Sequence, residues 1–132
     1  MFNTAFLAVG VAGDMGGPWM LPRLVGAAKA RELCFLPDKF SAAEALRIGM
    51  VARVFPQASF RQDVEAIITR LAHSAPLALR GLKQNFVAAE RMEFSAFIRH
   101  ETALHDQLMA TEDSTEAFKA FVEKRVPHFQ GR

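Results

Sequence analysis

The chain has 132 residues, 51% hydrophobic and 23% charged, which fits one folded globular domain or part of one and excludes a disordered segment. Its net charge of +2, with Lys and Arg mixed among Glu and Asp, argues against a nucleic-acid partner. No stretch has the roughly 20 apolar residues of a membrane span, no basic leader precedes the first apolar run, and the lone Cys34 leaves no internal disulfide, so a cytoplasmic protein without a membrane partner is expected.

Residues 2–9 are apolar apart from Asn3 and Thr4 and predict a short strand or buried extended segment. Four glycines follow within eight residues, Gly10, Gly13, Gly16 and Gly17, with Asp14 among them and Pro18 directly after. Glycine lets backbone approach a ligand closely, and proline suits the first position of a helix. A tight loop feeding a helix over about 18–24 is predicted, ended by Gly26, and a second helix over 27–36 is stopped by Pro37. Ser41-Ala42-Ala43-Glu44 has the form of a capping box and opens a helix to about Ile48; Met50 to Phe55 predicts a short strand.

Beyond Pro56 the pattern becomes helical. Ser59 to Gln62 is a second capping box, before an apolar face of Val64, Ile67, Ile68 and Leu71. Pro76 opens a helix with Leu79, Leu82 and Phe86 inward, and residues 93–110 repeat the pattern. Asp113 with Glu116 is expected to cap the last helix. The whole is mainly α with a few short strands: 1–56 mixed, 57–132 four amphipathic helices. Two short strands are marginal alone, so the first region is expected to lean on a partner subunit or a preceding half.

The glycine loop lacks both the G-x-G-x-x-G and Gly-Lys-Ser/Thr phosphate signatures, and suits a bend pressed against an acyl ligand or neighbouring backbone. Asp14 has two readings. It is a turn or capping aspartate, or a general base whose pKa is raised in an apolar pocket formed by Val9, Val11, Ala12, Met15 and Trp19. His73, His100, His105 and His128 are scattered and form no metal set. No serine has a nucleophile-elbow context, and Cys34 reads as a small buried apolar residue. Lys119, Lys124 and Arg125 read as a solvated face or as contacts to an anionic cofactor tail.

Three stretches carry a resemblance: Gly10 to Gly26 with the Ala-Lys-Ala-Arg-Glu-Leu that follows, Phe40 to Val51 ending in Val54-Phe55-Pro56, and the tail Ala120 to Arg132. In order, they resemble the C-terminal half of the crotonase superfamily, the enoyl-CoA hydratase/isomerase family. The resemblance implies that residues 1–56 are the last part of a ββα spiral core carrying the Gly-rich active-site loop. Residues 57–132 would be trimerisation helices. It implies an acyl-CoA substrate, no covalently bound cofactor, coenzyme A present only as part of the thioester, and a homo-oligomer, trimer or hexamer.

Hydratases of this kind place a catalytic glutamate where this chain has Phe6, so hydration by the usual glutamate pair is in doubt. Some members instead carry an aspartate eight residues on, in an Asp-x-Gly-Gly loop; that position is Asp14. The resemblance thus assigns Asp14 an isomerase-like proton transfer on an enolate. Phe6, Gly13, Gly16, Gly17 and Trp19 would contact substrate, and Phe121 and Lys124 would lie near the coenzyme A of a neighbouring subunit. The family's two oxyanion N–H groups lie on segments that precede residue 1, so this chain alone is expected to lack them. A catalytically silent helical oligomerisation module is the alternative.

Overall fold

A computed structural model describes all of Met1–Arg132. Seven α-helices follow in chain order: α1 Gly17–Val25, α2 Ala27–Phe35, α3 Ala42–Arg47, α4 Phe60–Ala72, α5 Pro76–Ala89, α6 Phe94–Met109 and α7 Glu112–Glu123. The chain divides into two compact units, Met1–Phe60 and Arg61–Arg132. The mainly helical fold read from the sequence is the one observed.

The strands are the departure. Residues 2–9 form no strand: Phe2 makes one antiparallel bridge with Phe40, and Leu7–Val9 is a single 3₁₀ turn. The bridge is closed by Phe2 N–H to the Phe40 carbonyl at 2.9 Å and Phe40 N–H to the Phe2 carbonyl at 3.0 Å, with the two rings stacked 5.7 Å apart. Met50 to Phe55 is irregular. A β-prone run becomes a strand only when another strand accepts its backbone groups, and these two runs do not pair with one another.

In the first unit α1 packs on α2, and Ala30, Leu33 and Ala45 are buried. Gly26 separates the two helices at φ +79°, and its N–H closes α1 on the Pro22 carbonyl at 3.0 Å. Ser41 caps α3 as predicted, its Oγ accepting from Glu44 N–H at 3.1 Å. Only half of the capping box forms. The Glu44 carboxylate turns outward to Arg47, with both contacts at 2.6 Å, and that guanidinium lowers its pKa.

In the second unit α5 packs against α6 through a glycine. Gly81 is buried, and a Cβ there would come within 2.9 Å of Leu108 Cδ1 and 3.4 Å of Leu104 Cδ2. Leu82 and Phe86, expected inward, are 54% and 66% exposed; the buried residues of α5 are Gly81 and Ala88. Close helix approach selects the small residues, and the larger apolar face is left toward solvent.

The start of α7 also differs from expectation. Thr111 is the cap, its Oγ1 accepting from Ser114 N–H at 3.1 Å. Asp113, 4% exposed, directs its carboxylate to the chain terminus instead. Oδ1 accepts Gln130 N–H at 2.7 Å and Oδ2 accepts Gly131 N–H at 2.8 Å. Nearby, Glu116 takes Arg125 in a two-point pair at 2.6 and 2.8 Å and accepts His128 N–H at 2.9 Å. Residues 125–132 therefore run back beside α7.

These donors, the Arg125 guanidinium above all, hold the Glu116 carboxyl down to about 2, against an ordinary value of 4.5. A depressed carboxyl contributes stability that is present above its unfolded value and lost as pH falls through the folded one. The unfolding midpoint should therefore drop between pH 4.5 and 2 more steeply in the native sequence than in Glu116→Gln. Thermal melts followed by circular dichroism across that range check this; parallel profiles would contradict it.

Candidate active site

The glycine loop is built by backbone that turns left three times in four residues. Gly13 has φ +131°, Met15 +46° and Gly16 +79°. Glycine takes such angles without steric cost, whereas Met15 is an uncommon non-glycine in this region. At Gly13 a side chain has no room: a Cβ would lie 2.6 Å from Pro18 Cγ. Gly17 faces Phe6, whose Cζ would be 3.3 Å from a Cβ at that position. The loop closes into α1 through Gly17 N–H to the Asp14 carbonyl at 2.8 Å. Gly16 is the helix cap and offers no side chain for capping, and Pro18 occupies the first turn.

Asp14 is exposed on this loop. Its backbone carbonyl holds the turn. The apolar envelope anticipated around its carboxylate does not form, since Val9, Met15 and Trp19 are 69%, 96% and 55% exposed. Val9 belongs to the 3₁₀ turn, Met15 is itself left-handed and Trp19 lies in α1, so adjacency in sequence does not gather them around the carboxylate.

An apolar cavity of about 350 Å³ does lie in the same unit, to one side of the loop. Phe6, Val11, Pro18, Leu21, Ala30 and Phe35 are among its walls, and Arg31 and Cys34 supply its only ionisable groups. Such a space accepts an aliphatic or aromatic group and offers no carboxylate for proton transfer. Of the sequence-predicted residues, Phe6 lines it; Asp14, Gly13, Gly16 and Trp19 do not, and Gly17 abuts Phe6. Cys34 is only partly buried and belongs to this wall. The signal that could have found the wall is helical spacing: Pro18, Leu21 and Pro22 share one face of α1, as Ala30 and Cys34 share one face of α2.

Trp19 lies in the first turn of α1. The Arg23 guanidinium sits 3.6 Å from the centre of its ring and donates to the Trp19 carbonyl at 2.7 Å. This pairing presents a flat aromatic surface with a cation stacked on it. In the second unit, Phe121 is 84% exposed near the end of α7, and Lys124 follows at the helix terminus with φ +55°. No helix is long and apolar enough to cross a membrane.

Known proteins place this geometry. A probable enoyl-CoA hydratase of Rhodobacter capsulatus is 35% identical over 131 residues, covering 99% of this chain and 51% of its own length. The carnitinyl-CoA dehydratase of Salmonella typhi is 35% identical over 128 residues, covering 94% and 49% respectively. Among solved structures, an enoyl-CoA hydratase from Bacillus anthracis superposes with a TM-score of 0.93 at 27% identity, covering 98% of this chain and 50% of that one. The chain spans about half the length of the curated relatives it matches. The match to the enoyl-CoA hydratase/isomerase family runs through residues 1–132 without a break, and the chain belongs to that family.

Proposed function

We propose that this chain contributes the proton-transferring side of an acyl-CoA site, with isomerase-like chemistry on an enolate intermediate. The Asp14 carboxylate takes a proton from the carbon that lies between the thioester carbonyl and the double bond of a 3-enoyl chain. The electron pair moves onto the thioester oxygen as an enolate, and Asp14 returns the proton to a different carbon, shifting the double bond. The enolate oxygen needs hydrogen-bond donors aimed at it; the resemblance assigns these to residues outside 1–132. Phe6 and Gly17 border the acyl group, Gly13 and Gly16 shape the loop, and Trp19 offers it a flat wall. Phe121 and Lys124 meet the coenzyme A of a neighbouring copy in a homotrimer or hexamer.

The observation that carries this reading is the placement of Asp14. It is an exposed carboxylate between two left-handed residues, in a loop whose cap position is a glycine with no side chain. A residue serving only as a helix cap has no need of that backbone, and locally strained backbone gathers at functional sites. Phe6, which cannot carry a proton, favours isomerisation over hydration by a glutamate pair.

The test is to supply the protein, assembled with the residues that carry the enolate-binding donors, with a 3-enoyl-CoA and a 2-enoyl-CoA in separate assays. Double-bond migration from the first is expected to exceed water addition to the second. Hydration outrunning isomerisation would overturn the assignment. The exposed apolar faces of Leu82, Phe86, Phe94 and Phe118 favour a second reading, a helical oligomerisation module without chemistry of its own. Absence of both reactions in a protein that still associates would select it.

A further inference from the structure

The carboxylates that gather the chain terminus play no part in the chemistry proposed above, yet they are the most elaborately built polar feature of the molecule. An acidic residue in the first turn of a helix ordinarily serves that helix's own free N–H groups. In α7 that task belongs to Thr111, and both oxygens of the buried Asp113 are committed to Gln130 and Gly131 N–H. Asp113 N–H in turn donates to the Arg132 carbonyl at 3.0 Å. Gly131, at φ +78°, brings the terminus within 3.1 Å of Pro76 Cγ, measured from where a Cβ would stand. A buried carboxylate is costly to desolvate, and its value lies in the geometry it fixes.

The strap fixes the residues on either side of Lys124. Arg125 is held on two sides, by both oxygens of Glu116 and by Glu123 Oε2 at 2.6 Å. Its N–H bonds the Ala120 carbonyl at 3.0 Å, while Lys124 N–H bonds that of Phe121 at 3.3 Å. Between these anchors Lys124 is locked in a left-handed conformation, and its ammonium takes no part in the ion pairs. One turn earlier stands the exposed ring of Phe121.

We infer that Asp113 and Glu116 are positioning residues for coenzyme A. By strapping residues 125–132 along α7, they set the turn that presents the Lys124 ammonium, one turn beyond the Phe121 ring of α7, to the phosphate-bearing end of the molecule. The inference rests on the reading of Phe121 and Lys124 given under the proposed function. A phosphate is recognised by a cation at a fixed distance. A lysine on a frayed helix end has to be ordered on binding, which weakens affinity.

Titration calorimetry on the native protein tests this with two probes, free coenzyme A and pantetheine, which lacks the nucleotide. Asp113→Asn, Glu116→Gln and Lys124→Ala are each expected to weaken coenzyme A by about tenfold and to leave pantetheine unmoved. Adding Asp113→Asn to Lys124→Ala should weaken it no further. If Lys124→Ala weakens coenzyme A while folded Asp113→Asn and Glu116→Gln bind normally, the strap is overturned and the reading of Lys124 survives. If Lys124→Ala changes nothing, that reading fails and the strap's role falls with it. Equal loss for both probes would mean that the strap only supports the fold, again overturning the inference. Should Asp113→Asn not fold, Glu116→Gln decides by the same comparison.

Discussion

Asp14→Asn is expected to lower turnover of a 3-enoyl-CoA by about a hundred- to ten-thousand-fold, the contribution of a positioned general acid–base group. The amide keeps the shape of the side chain and removes its basicity. Little else should change. The Asp14 contact that holds the loop is its backbone carbonyl, bonded to Gly17 N–H at 2.8 Å, and Asn retains it. The side chain is exposed, so no buried partner is lost. The loss should therefore appear in kcat, with KM and the urea midpoint near those of the unsubstituted protein. Steady-state kinetics beside an unfolding titration separate these quantities. A fall in stability matching the fall in rate would point to an architectural role for Asp14. With Phe6 at the position that hydratases give to a glutamate, no second carboxylate in the loop can take over.

The largest effect on stability should come from Asp113→Ala. The substitution strands two backbone N–H groups, of Gln130 and Gly131, beside a site that is 4% exposed. Hydrogen bonds to a charged acceptor, together with the penalty for leaving buried donors unmade, put the loss at about 3 kcal/mol. Denaturant unfolding measures it. Asp106→Ala on α6, where the side chain is exposed, is the control and should lie within about 0.5 kcal/mol of the native protein. Near-native stability in Asp113→Ala would mean that the terminus is not held as described.

The helices were legible because their signals are local. Pro18, Ser41 and Pro76 mark starts, Gly26 marks a stop, and the observed ends fall within about a residue of them. Strands were misread because a β-prone run reports side-chain preference, whereas a strand requires a second backbone; Phe2 found only Phe40. The start of α7 was misassigned for a different reason. Asp113 and Thr111 are both competent caps, and the choice is settled by the amides of residues 130 and 131, which lie far away in sequence.

In the loop, the glycines announced a tight turn, and Gly13 and Gly17 bear that out through Pro18 and Phe6. The surroundings of Asp14 could not be read in the same way. Whether apolar neighbours in sequence enclose a carboxylate depends on the sign of each φ, and Met15 turns left without being a glycine. The cavity bordered by Phe6, Leu21 and Cys34 has no local signature because it joins two helices to the segment before the loop and to Val11 and Ala12 within it. Helical spacing marks one face of α1 and one of α2, but no local signal joins the two faces.

The role of Asp14 is tested most directly by proton exchange, which does not depend on where the double bond finishes. The native protein and Asp14→Asn are incubated with an acyl-CoA in deuterium oxide, and deuterium entering the carbons next to the thioester is followed by NMR. Exchange catalysed by the native protein and abolished in Asp14→Asn is the predicted result; exchange at the same rate in both would contradict it.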